Sequence, residues 1–355
     1  MGNREKNGVG VEHKMPKKNY IQMDYAKFFA AILVVAIHIP PLQDVNETAS
    51  LVLQQVICRL AVPFFFLCSG FFLGKKLERK ADTMRYAKRI ATMYLLWSAL
   101  YLPAILERFW KQNKTLGENI GELLRRFFLI GSYIQLWYLL GTLYGVLVLY
   151  LLLQVKGMTK NRLAVLALVV YLFGVAGNSY RHLWDGMPGI VAVLDGYRDW
   201  FATTRNGLFF AFPFLTMGYL LSGKQDKVKN TVKWTGTSLL SLLALILEFF
   251  ALERWGSIAS FDMYLMTPVA VGCLFCLLLT VQVSEKRQET GQMLRGISTY
   301  IFLLHMMVNF YFKKIPFLKK GWMSYSFSHF LLVLLASILI AMVLQKRKMK
   351  KILKN

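Results

Sequence analysis

The sequence predicts an all-α protein that crosses a membrane about ten times. Of its 355 residues, 56% are hydrophobic and only 17% are charged, whereas charged residues make up about a quarter of a soluble domain. Apolar runs of about fifteen to twenty-two residues recur along the whole length, and a helix of this length spans a bilayer. Together, composition and run length predict a polytopic helical membrane protein whose first partner is the lipid bilayer.

The excess of positive charge fits this class better than a nucleic-acid-binding class. The formal net charge is +24, but most of the 43 Lys and Arg residues cluster in short loops between apolar runs. Cationic loops of this kind set the orientation of membrane helices, because they are retained on the cytoplasmic side. Their distribution predicts that both termini are cytoplasmic, and no nucleic-acid partner is expected.

The apolar runs define ten predicted spans. In chain order they are 20–41, 50–73, 90–106, 133–154, 163–178, 207–222, 235–252, 261–282, 297–312 and 327–344. We therefore expect a ten-helix membrane domain over 20–344, preceded by a basic cytoplasmic segment, 1–19. A basic cytoplasmic tail, 345–355, follows, and it is expected either to lie on anionic lipid or to lead into a cytosolic domain outside this chain.

The segments between the spans have distinct characters. The first span ends at Pro40-Pro41, because proline lacks a backbone donor and clashes with the preceding turn. The stretch 107–131 is mixed in charge and can hold an amphipathic surface helix. The stretch 179–206 is aromatic and Gly-rich and is the largest predicted external segment. A strongly basic loop, 75–89, and three further loops, 156–162, 224–233 and 284–295, are expected in the cytoplasm.

The cysteines do not indicate a metal or redox site. All four of them, Cys58, Cys68, Cys273 and Cys276, lie inside apolar runs. The Cys273-x-x-Cys276 pair has no second pair to complete a zinc site, so we interpret it as helix packing. No metal site is predicted.

The first span carries three ionisable side chains in one stripe. Lys27 and His38 are eleven positions apart, which brings them within about 20° of each other around a helix. Asp24 and Lys27 have the i, i+3 spacing of neighbours. Charged groups at membrane depth are costly and usually face a functional site. The alternative is that Lys27 reaches the interface and His38 bonds to a neighbouring helix.

Five motifs in order resemble those of the acyltransferase-3 family of membrane acyltransferases. The first two are D-Y-A-K-F-F-A-A-I-L-V-V-A-I-H from Asp24 and R-L-A-V-P-F-F-F-L-C-S-G-F-F-L from Arg59. The others are Q-L-W-Y-L from Gln135, R-N-G-L-F-F-A-F-P-F-L-T-M-G-Y-L-L from Arg205, and S-T-Y-I-F-L-L-H, which ends at His305. The matches cover nearly the whole chain, and they imply the fold of that family.

The resemblance implies a chemistry and a set of site residues. Family members are thought to pass an acyl group from cytosolic acyl-CoA, with acetyl-CoA the expected donor here, to a hydroxyl acceptor across the membrane. His38 would be the general base or acyl relay, a role that suits an imidazole. Lys27 and Arg59 would hold anionic parts of CoA or polarise the thioester. The remaining implied substrate-binding residues are Asp24, Gln135, Trp137, Arg205 and His305.

Several of these residues also have structural interpretations. His305 can serve as a hydrogen-bonded core residue, Arg205 can anchor a helix at the interface, and Trp137 can belong to an interfacial aromatic belt. Two positions depart from the family pattern. Lys27 stands where Arg is usual and lacks its planar fork, and Gln135 stands where His is frequent, which removes a titratable group.

A narrower resemblance points to a second function. The length, the T-R-N-G-L-F-F sequence around Arg205 and the basic C-terminal segment are similar to the membrane domain of VanT-type membrane-bound serine racemases of glycopeptide-resistant bacteria. This implies an L-serine-binding or L-serine-transporting domain, linked to vancomycin resistance, with a cytosolic racemase domain of the same full-length chain as partner. Both resemblances imply the plasma membrane of a bacterium. A third hypothesis, a mere membrane anchor, leaves the charged stripe unexplained.

Overall fold

The computed structural model describes residues 20–112, 114–255, 261–320 and 325–352. Across these ranges the regular secondary structure is helical and includes no strand, in agreement with the all-α prediction. The predicted basic segment 1–19 lies outside the described residues, as do the last three residues of the predicted tail.

The helices follow one another with short connections. In chain order they are α1 (Ile21–His38), α2 (Glu47–Glu78), α3 (Lys80–Leu100), α4 (Leu102–Trp110), α5 (Leu116–Arg125), α6 (Trp137–Gln154), α7 (Lys160–Ala176), α8 (Pro188–Phe201), α9 (Gly207–Leu221), α10 (Thr231–Arg254), α11 (Thr267–Thr280), α12 (Gln288–Phe312), α13 (Pro316–Lys320) and α14 (Ser326–Ile352).

The lengths of the helices support a polytopic membrane protein. Five of the described helices, α1, α2, α6, α10 and α14, are long and apolar enough to cross a membrane. The count rises to seven if each of two bent pairs is one span; α3 and α4 meet at 52°, whereas the chain turns by 119° between α11 and α12. The count of ten spans and the cytoplasmic position of both termini therefore remain predictions.

Broad apolar surfaces on the outside of the bundle fit a lipid environment. Along α10 the outward-facing leucines are each more than half exposed, and so are several outward-facing side chains of α3 and α14. They include Leu95, Leu96, Leu239, Leu240, Leu243, Leu247, Leu339 and Val343. In water, contiguous apolar surfaces of this kind are uncommon. The chain is an integral membrane protein.

Several boundaries differ from the sequence-based prediction. The helix α3 begins at Lys80, ten residues before the predicted start of the third span, inside the stretch expected to be a basic loop. The helix α11 begins at Thr267 rather than at residue 261, because Pro268 favours the first turn of a helix. The segment 179–206, which is predicted to be external, contains a helix, α8, that its Gly-rich composition concealed.

Local capping explains several of the helix starts. Thr115 and Glu118 form a reciprocal capping box at the start of α5, the amphipathic helix expected within 107–131. Asn206 accepts hydrogen bonds from the backbone of Leu208 and Phe209 at the start of α9.

The end of α1 is set by Pro40. Ile39 leaves the helical conformation, with φ −137° and ψ 82°, because a residue that precedes proline cannot easily remain helical. The loop that follows is tied to the start of α14, where the Ser326 backbone N–H donates to Asp44 Oδ2 at 2.9 Å. The Ser326 hydroxyl also bonds to this carboxylate, and these contacts hold the pKa of Asp44 below its usual range.

The inner helices approach one another closely at glycines. Where α2 crosses α9, a Cβ atom added to Gly70 would lie 2.0 Å from the Leu215 carbonyl oxygen. A Cβ added to Gly218 would lie 2.0 Å from the Leu67 carbonyl oxygen. Small residues of this kind let two membrane helices pack backbone to backbone. This crossing holds α9 against α2, and the candidate site depends on that position.

We expect Gly218→Ala to lower the thermal stability of the detergent-purified protein. The added methyl group meets backbone atoms that cannot rotate away, and overpacking of this kind costs about 1–3 kcal/mol. Gly236→Ala is the matched control, because it lies in helix α10 with nothing within 4 Å of the added atom. Thermal unfolding should show a lower midpoint for the first variant and an unchanged or higher one for the second. Equal midpoints would contradict the close crossing.

Candidate functional site

The helix α2 loses its regular geometry where it carries Arg59. A π turn, Leu53–Ile57, runs directly into a 3-10 turn, Cys58–Leu60. Irregular turns inside long helices are frequent at functional sites, because they redirect side chains that a regular helix would aim elsewhere. The Arg59 guanidinium accordingly donates through Nη2 to Gln55 Oε1 at 2.9 Å, within the same irregular segment.

A buried ion cluster joins Arg59 to two distant residues. Arg59 Nη1 lies 2.6 Å from Asp262 Oδ1, and Arg205 Nε lies 3.5 Å from Asp262 Oδ2. The Arg205 guanidinium stands 4.5 Å from the centroid of the Trp137 ring. Arg59, Arg205 and Asp262 are called the arginine–aspartate cluster below. It gathers residues from α2, the segment before α9 and the segment before α11.

Asn178 positions two members of this cluster. Its side-chain oxygen accepts a hydrogen bond from the Asp262 backbone N–H at 3.2 Å. Its amide nitrogen donates to Thr203 Oγ1 at 3.2 Å, and that same oxygen accepts from the Arg205 backbone N–H at 3.1 Å. One buried amide therefore ties the segment before α11 to the segment before α9. As a result, the backbones of Arg205 and Asp262 are held close enough for their side chains to pair.

The cluster carries an excess positive charge in a largely buried environment. Two guanidinium groups face one carboxylate, and the three side chains are only 13–23% exposed. Within the described part of the chain, the fully buried Tyr264 hydroxyl has no hydrogen-bond partner, and Arg205 Nε has the long ion pair with Asp262 but no hydrogen bond. Buried charges and polar groups are costly unless they are paired. The arrangement therefore favours a small anion or an anionic group at this position.

Two histidines lie stacked beside the cluster. The rings of His38, at the end of α1, and His305, in α12, have centroids 5.3 Å apart and an interplanar angle of 26°. Gln54, in the irregular segment of α2 that leads to Arg59, donates through Nε2 to the Ile37 carbonyl oxygen at 2.7 Å, and this bond holds the end of α1 against that segment. His38 is partly exposed, and it makes no hydrogen bond within the ranges that the structure describes.

The contacts of His305 define which of its nitrogens is basic. Its Nδ1 lies 3.1 Å from the Ile301 carbonyl oxygen, which can only accept, so the neutral ring carries its proton on Nδ1. Its Nε2 is buried and has no partner among the described residues. The lone pair of Nε2 is therefore available to a ligand. Fully buried His305 thus has both a core hydrogen bond and an unused acceptor, which combines the two interpretations that the sequence left open.

A separate cavity of about 270 Å³ surrounds Lys27. Three cationic side chains, Lys27, Arg89 and Arg295, line it. Lys27 Nζ lies 4.3 Å from the centroid of the Phe72 ring, and Arg295 Nη1 lies 3.8 Å from Asp24 Oδ2. We call this cavity the Lys27 pocket. The pocket lies at the end of the bundle where α1 begins. Asp24 does not line the pocket, but it pairs with Arg295, which does.

The structure separates residues that the sequence-based prediction assigned to one ligand. Lys27 lies in its pocket, whereas His38 and Arg59 lie with the cluster at the other end of α1. The eleven residues between Lys27 and His38 correspond to about 16 Å along a helix. The single stripe of ionisable groups on α1 therefore serves two places rather than one.

Three aromatic rings stand between the two places. The centroids of Phe65 and Phe302 are 5.9 Å apart, those of Phe65 and Tyr138 are 6.0 Å apart, and those of Tyr138 and Phe302 are 5.0 Å apart. All three residues line the Lys27 pocket, and the Phe302 ring is 6.4 Å from that of His305. Phe65, Tyr138 and Phe302, called the aromatic layer below, close the pocket on the side that faces the histidines.

Two other residues predicted to bind substrate, Gln135 and Trp137, lie beside α12 and beneath Arg205, respectively. Gln135 is buried in the turn before α6, and its Nε2 donates weakly to the Leu303 carbonyl oxygen at 3.4 Å. Its Oε1 has no partner in the described ranges. Trp137 is buried against Phe66 as well as beneath Arg205, so it contributes a packed platform for a guanidinium group.

Asp262, Tyr264, Arg89 and Arg295 were not among the site residues predicted from the sequence. A signal was present for Asp262, because an acidic residue inside a predicted span, 261–282, indicates a functional position. Arg89 and Arg295 lie in stretches interpreted as orientation-setting loops, and only the three-dimensional arrangement directs them toward Lys27.

Metal ions in proteins are held by sets of His, Cys, Asp or Glu side chains that lie close together. The described ranges of the chain contain no group of three or more such side chains that could hold one. All four cysteines are free thiols. Cys273 and Cys276 lie on α11, and Cys58 and Cys68 lie on α2.

Comparison with known proteins identifies the family. The acyltransferase-3 family model, described as an acyltransferase domain, matches residues 20–346. An amino-acid racemase of Enterococcus faecalis is 29% identical over 344 residues, which cover 92% of this chain and 46% of that protein. A serine/alanine racemase of Enterococcus gallinarum is 29% identical over 321 residues, which cover 85% of this chain and 43% of that protein.

The chain spans less than half the length of these curated relatives. No solved structure matches it significantly. Both resemblances inferred from the motifs are confirmed, because the family match extends through all five of them and the relatives are racemases. The protein belongs to the acyltransferase-3 family.

Proposed function

We propose that this protein is a membrane acyltransferase that moves an acyl group from acyl-CoA, with acetyl-CoA as the expected donor, to a hydroxyl acceptor on the other side of the membrane. The membrane is expected to be the plasma membrane of a bacterium. The observation that carries the proposal is the Lys27 pocket, a cation-lined cavity that the aromatic layer separates from the stacked histidines. Family membership supports the reaction class, and the pocket supports the donor.

The Lys27 pocket suits the phosphates of CoA. Arg89 and Arg295 are exposed at its mouth, where arginine can bind a phosphate through two parallel hydrogen bonds. Lys27 adds a point charge deeper inside, and Ser69 and Tyr138 add hydroxyl groups that can bond to the amides of the pantetheine arm. That long arm is suited to the distance between the pocket and His38, and its thioester end would pass the aromatic layer.

The transfer step then uses one imidazole as a base. His38 accepts the proton of the acceptor hydroxyl as its oxygen attacks the thioester carbonyl carbon. The new C–O bond forms, the C–S bond breaks, and the departing CoA sulfur takes up the proton from His38. The negative charge that develops on the carbonyl oxygen is stabilised by Arg59 and Arg205, which carry one more positive charge than Asp262 neutralises. His305 supports the orientation of the His38 ring through the stack.

A second candidate function is favoured by the arginine–aspartate cluster. An amino acid such as L-serine carries a carboxylate and an ammonium group, and the cluster offers guanidinium groups for the first and Asp262 for the second. The relatives are amino-acid and serine/alanine racemases, and they extend well beyond the matched region. Under this second candidate function, the domain binds or transports L-serine for a cytosolic racemase domain of the same full-length chain. The expected link to vancomycin resistance applies to this candidate function only.

For the first candidate, we expect Lys27→Ala to weaken acetyl-CoA binding about tenfold or more. Loss of one charge-assisted contact costs about 1.5–3 kcal/mol, and 1.4 kcal/mol corresponds to a factor of ten in Kd. Calorimetric titration of detergent-purified protein gives the Kd directly. Lys160→Ala is the matched control, because Lys160 is exposed at the start of α7, away from the pocket. Unchanged binding in Lys27→Ala would contradict the proposed donor site.

His38→Ala should retain acetyl-CoA binding, since His38 lies outside the pocket. It should lose transfer of the labelled acetyl group to acceptors in membranes from expressing cells. Transfer at the normal rate would exclude His38 as the base.

For the second candidate, we expect Asp262→Asn to reduce saturable L-serine binding, because the ammonium group loses its only carboxylate partner in the cluster. Equilibrium binding of labelled L-serine to the purified protein measures this. Lys27→Ala should leave serine binding unchanged, while retained acetyl-CoA binding by Asp262→Asn would show that this variant is folded. Absence of serine binding by the unaltered protein would reject the second candidate and leave the first untouched.

A further inference from the structure

A second polar cavity opens beyond His305, at the end of α12. It has a volume of about 990 Å³ and lies between α4, the turn before α6 and the last residues of α12. Its charged lining consists of Glu107, Arg108, Lys111, Lys313 and Lys314. We call this cavity the basic basin. Neither candidate function uses any of these side chains.

The basin has an unbalanced charge. Glu107 Oε1 accepts from Lys111 Nζ at 2.7 Å, and Glu107 Oε2 pairs with Lys314 across the gap between α4 and α12. One carboxylate thus braces two of the four cations. Arg108 and Lys313 are exposed and have no ion-pair partner in the part of the chain that the structure describes. The lining therefore carries three positive charges in excess, and two of its cations are available to a ligand.

An unused acceptor lies beside these cations. Gln112 lines the basin, and its Oε1 is buried without a hydrogen-bond partner among the described residues. A carbonyl oxygen of this kind can accept a hydrogen bond from a hydroxyl group. The basin therefore presents complementary groups for a molecule that carries both a multiply charged anion and hydroxyl groups.

The floor of the basin packs against the helix that carries His305. Tyr133 lines the basin, and its ring stacks on that of Tyr101 with centroids 4.5 Å apart. The Tyr101 hydroxyl donates to the Leu303 carbonyl oxygen at 2.7 Å and accepts from the Met307 backbone N–H at 2.9 Å. These two residues flank His305 in the same turns of α12. One aromatic pair therefore separates the basin from the backbone that carries the histidine.

We propose that the basic basin binds the phosphate group of the acyl acceptor, so that the acceptor is a water-soluble phosphorylated alcohol or sugar. This rests on the proposed acyltransferase function. A phosphate monoester carries about −1.5 to −2 charges at pH 7, which matches two available cations, whereas a carboxylate carries one. Arg108 and Lys313 hold the phosphate, and Gln112 accepts from an acceptor hydroxyl.

The test compares glycerol 3-phosphate with glycerol as probes in calorimetric titrations of the detergent-purified chain. We expect saturable binding of glycerol 3-phosphate, weakened by added salt, and no binding of glycerol. The double variant Arg108→Gln/Lys313→Gln should bind glycerol 3-phosphate at least about tenfold more weakly. The control Lys156→Gln/Lys160→Gln removes two exposed cations elsewhere on the protein and should bind normally. Equal binding by both double variants, or no saturable binding by the unaltered chain, would overturn the proposal.

Nanodiscs separate a soluble ligand from a lipid headgroup. Binding of glycerol 3-phosphate should be the same in phosphatidylglycerol and phosphatidylcholine discs. Loss of binding only in the phosphatidylglycerol discs would mean that the headgroup of an anionic lipid occupies the basin. That result would overturn the assignment to a soluble acceptor.

The donor site is tested independently. The variant Arg108→Gln/Lys313→Gln should bind acetyl-CoA as the unaltered chain does, because the Lys27 pocket lies at the other end of α1. Normal acetyl-CoA binding with failed glycerol 3-phosphate binding rejects the basin alone. Failed acetyl-CoA binding with normal glycerol 3-phosphate binding rejects the proposed donor and leaves the phosphate site standing.

Discussion

The site depends on the pairing of Asp262 with Arg59 and Arg205 inside a largely apolar bundle. Two guanidinium groups cannot remain buried near each other without a counter-charge, because removal of charges from water is expensive. Asp262 supplies that counter-charge from a non-helical segment, and Asn178 holds this segment against the residues before α9. One carboxylate therefore connects three parts of the chain that are far apart in sequence. The excess positive charge that remains is the property a ligand can use.

The aromatic layer divides the charged interior into two environments. The Lys27 pocket opens at one end with three cations, while the histidines and the arginine–aspartate cluster lie beyond Phe65, Tyr138 and Phe302. Such a division suits a reaction in which a polyanionic donor enters from one side and an acceptor from the other. It equally suits a binding domain in which only the cluster is used. The two functions need different residues, so substitutions at Lys27 and at Asp262 can distinguish them.

Most of the side chains that meet in the candidate site stand out in the sequence, whereas their grouping does not. His38, Arg59, Arg205 and His305 stand out because ionisable side chains are rare in apolar runs and because they fall in family motifs. Helical periodicity correctly places Lys27 and His38 on one face of α1, but periodicity gives an angle and not a partner. It could not show that Arg89 and Arg295 join Lys27, or that His38 stacks on a histidine 267 positions later.

The sequence by itself determined the all-α class, the membrane environment and the family, because hydrophobic run length and ordered motifs are local properties. It also determined where α1 ends, since Pro40 acts on the residue next to it. The tertiary structure alone decided how the charges are shared. The helix crossing at Gly70 and Gly218, the irregular turns of α2 and the pairing of Asp262 with two arginines all depend on segments brought together by packing. An ion pair in a low-dielectric interior is set by distance in space, and distance along the chain carries little information about it.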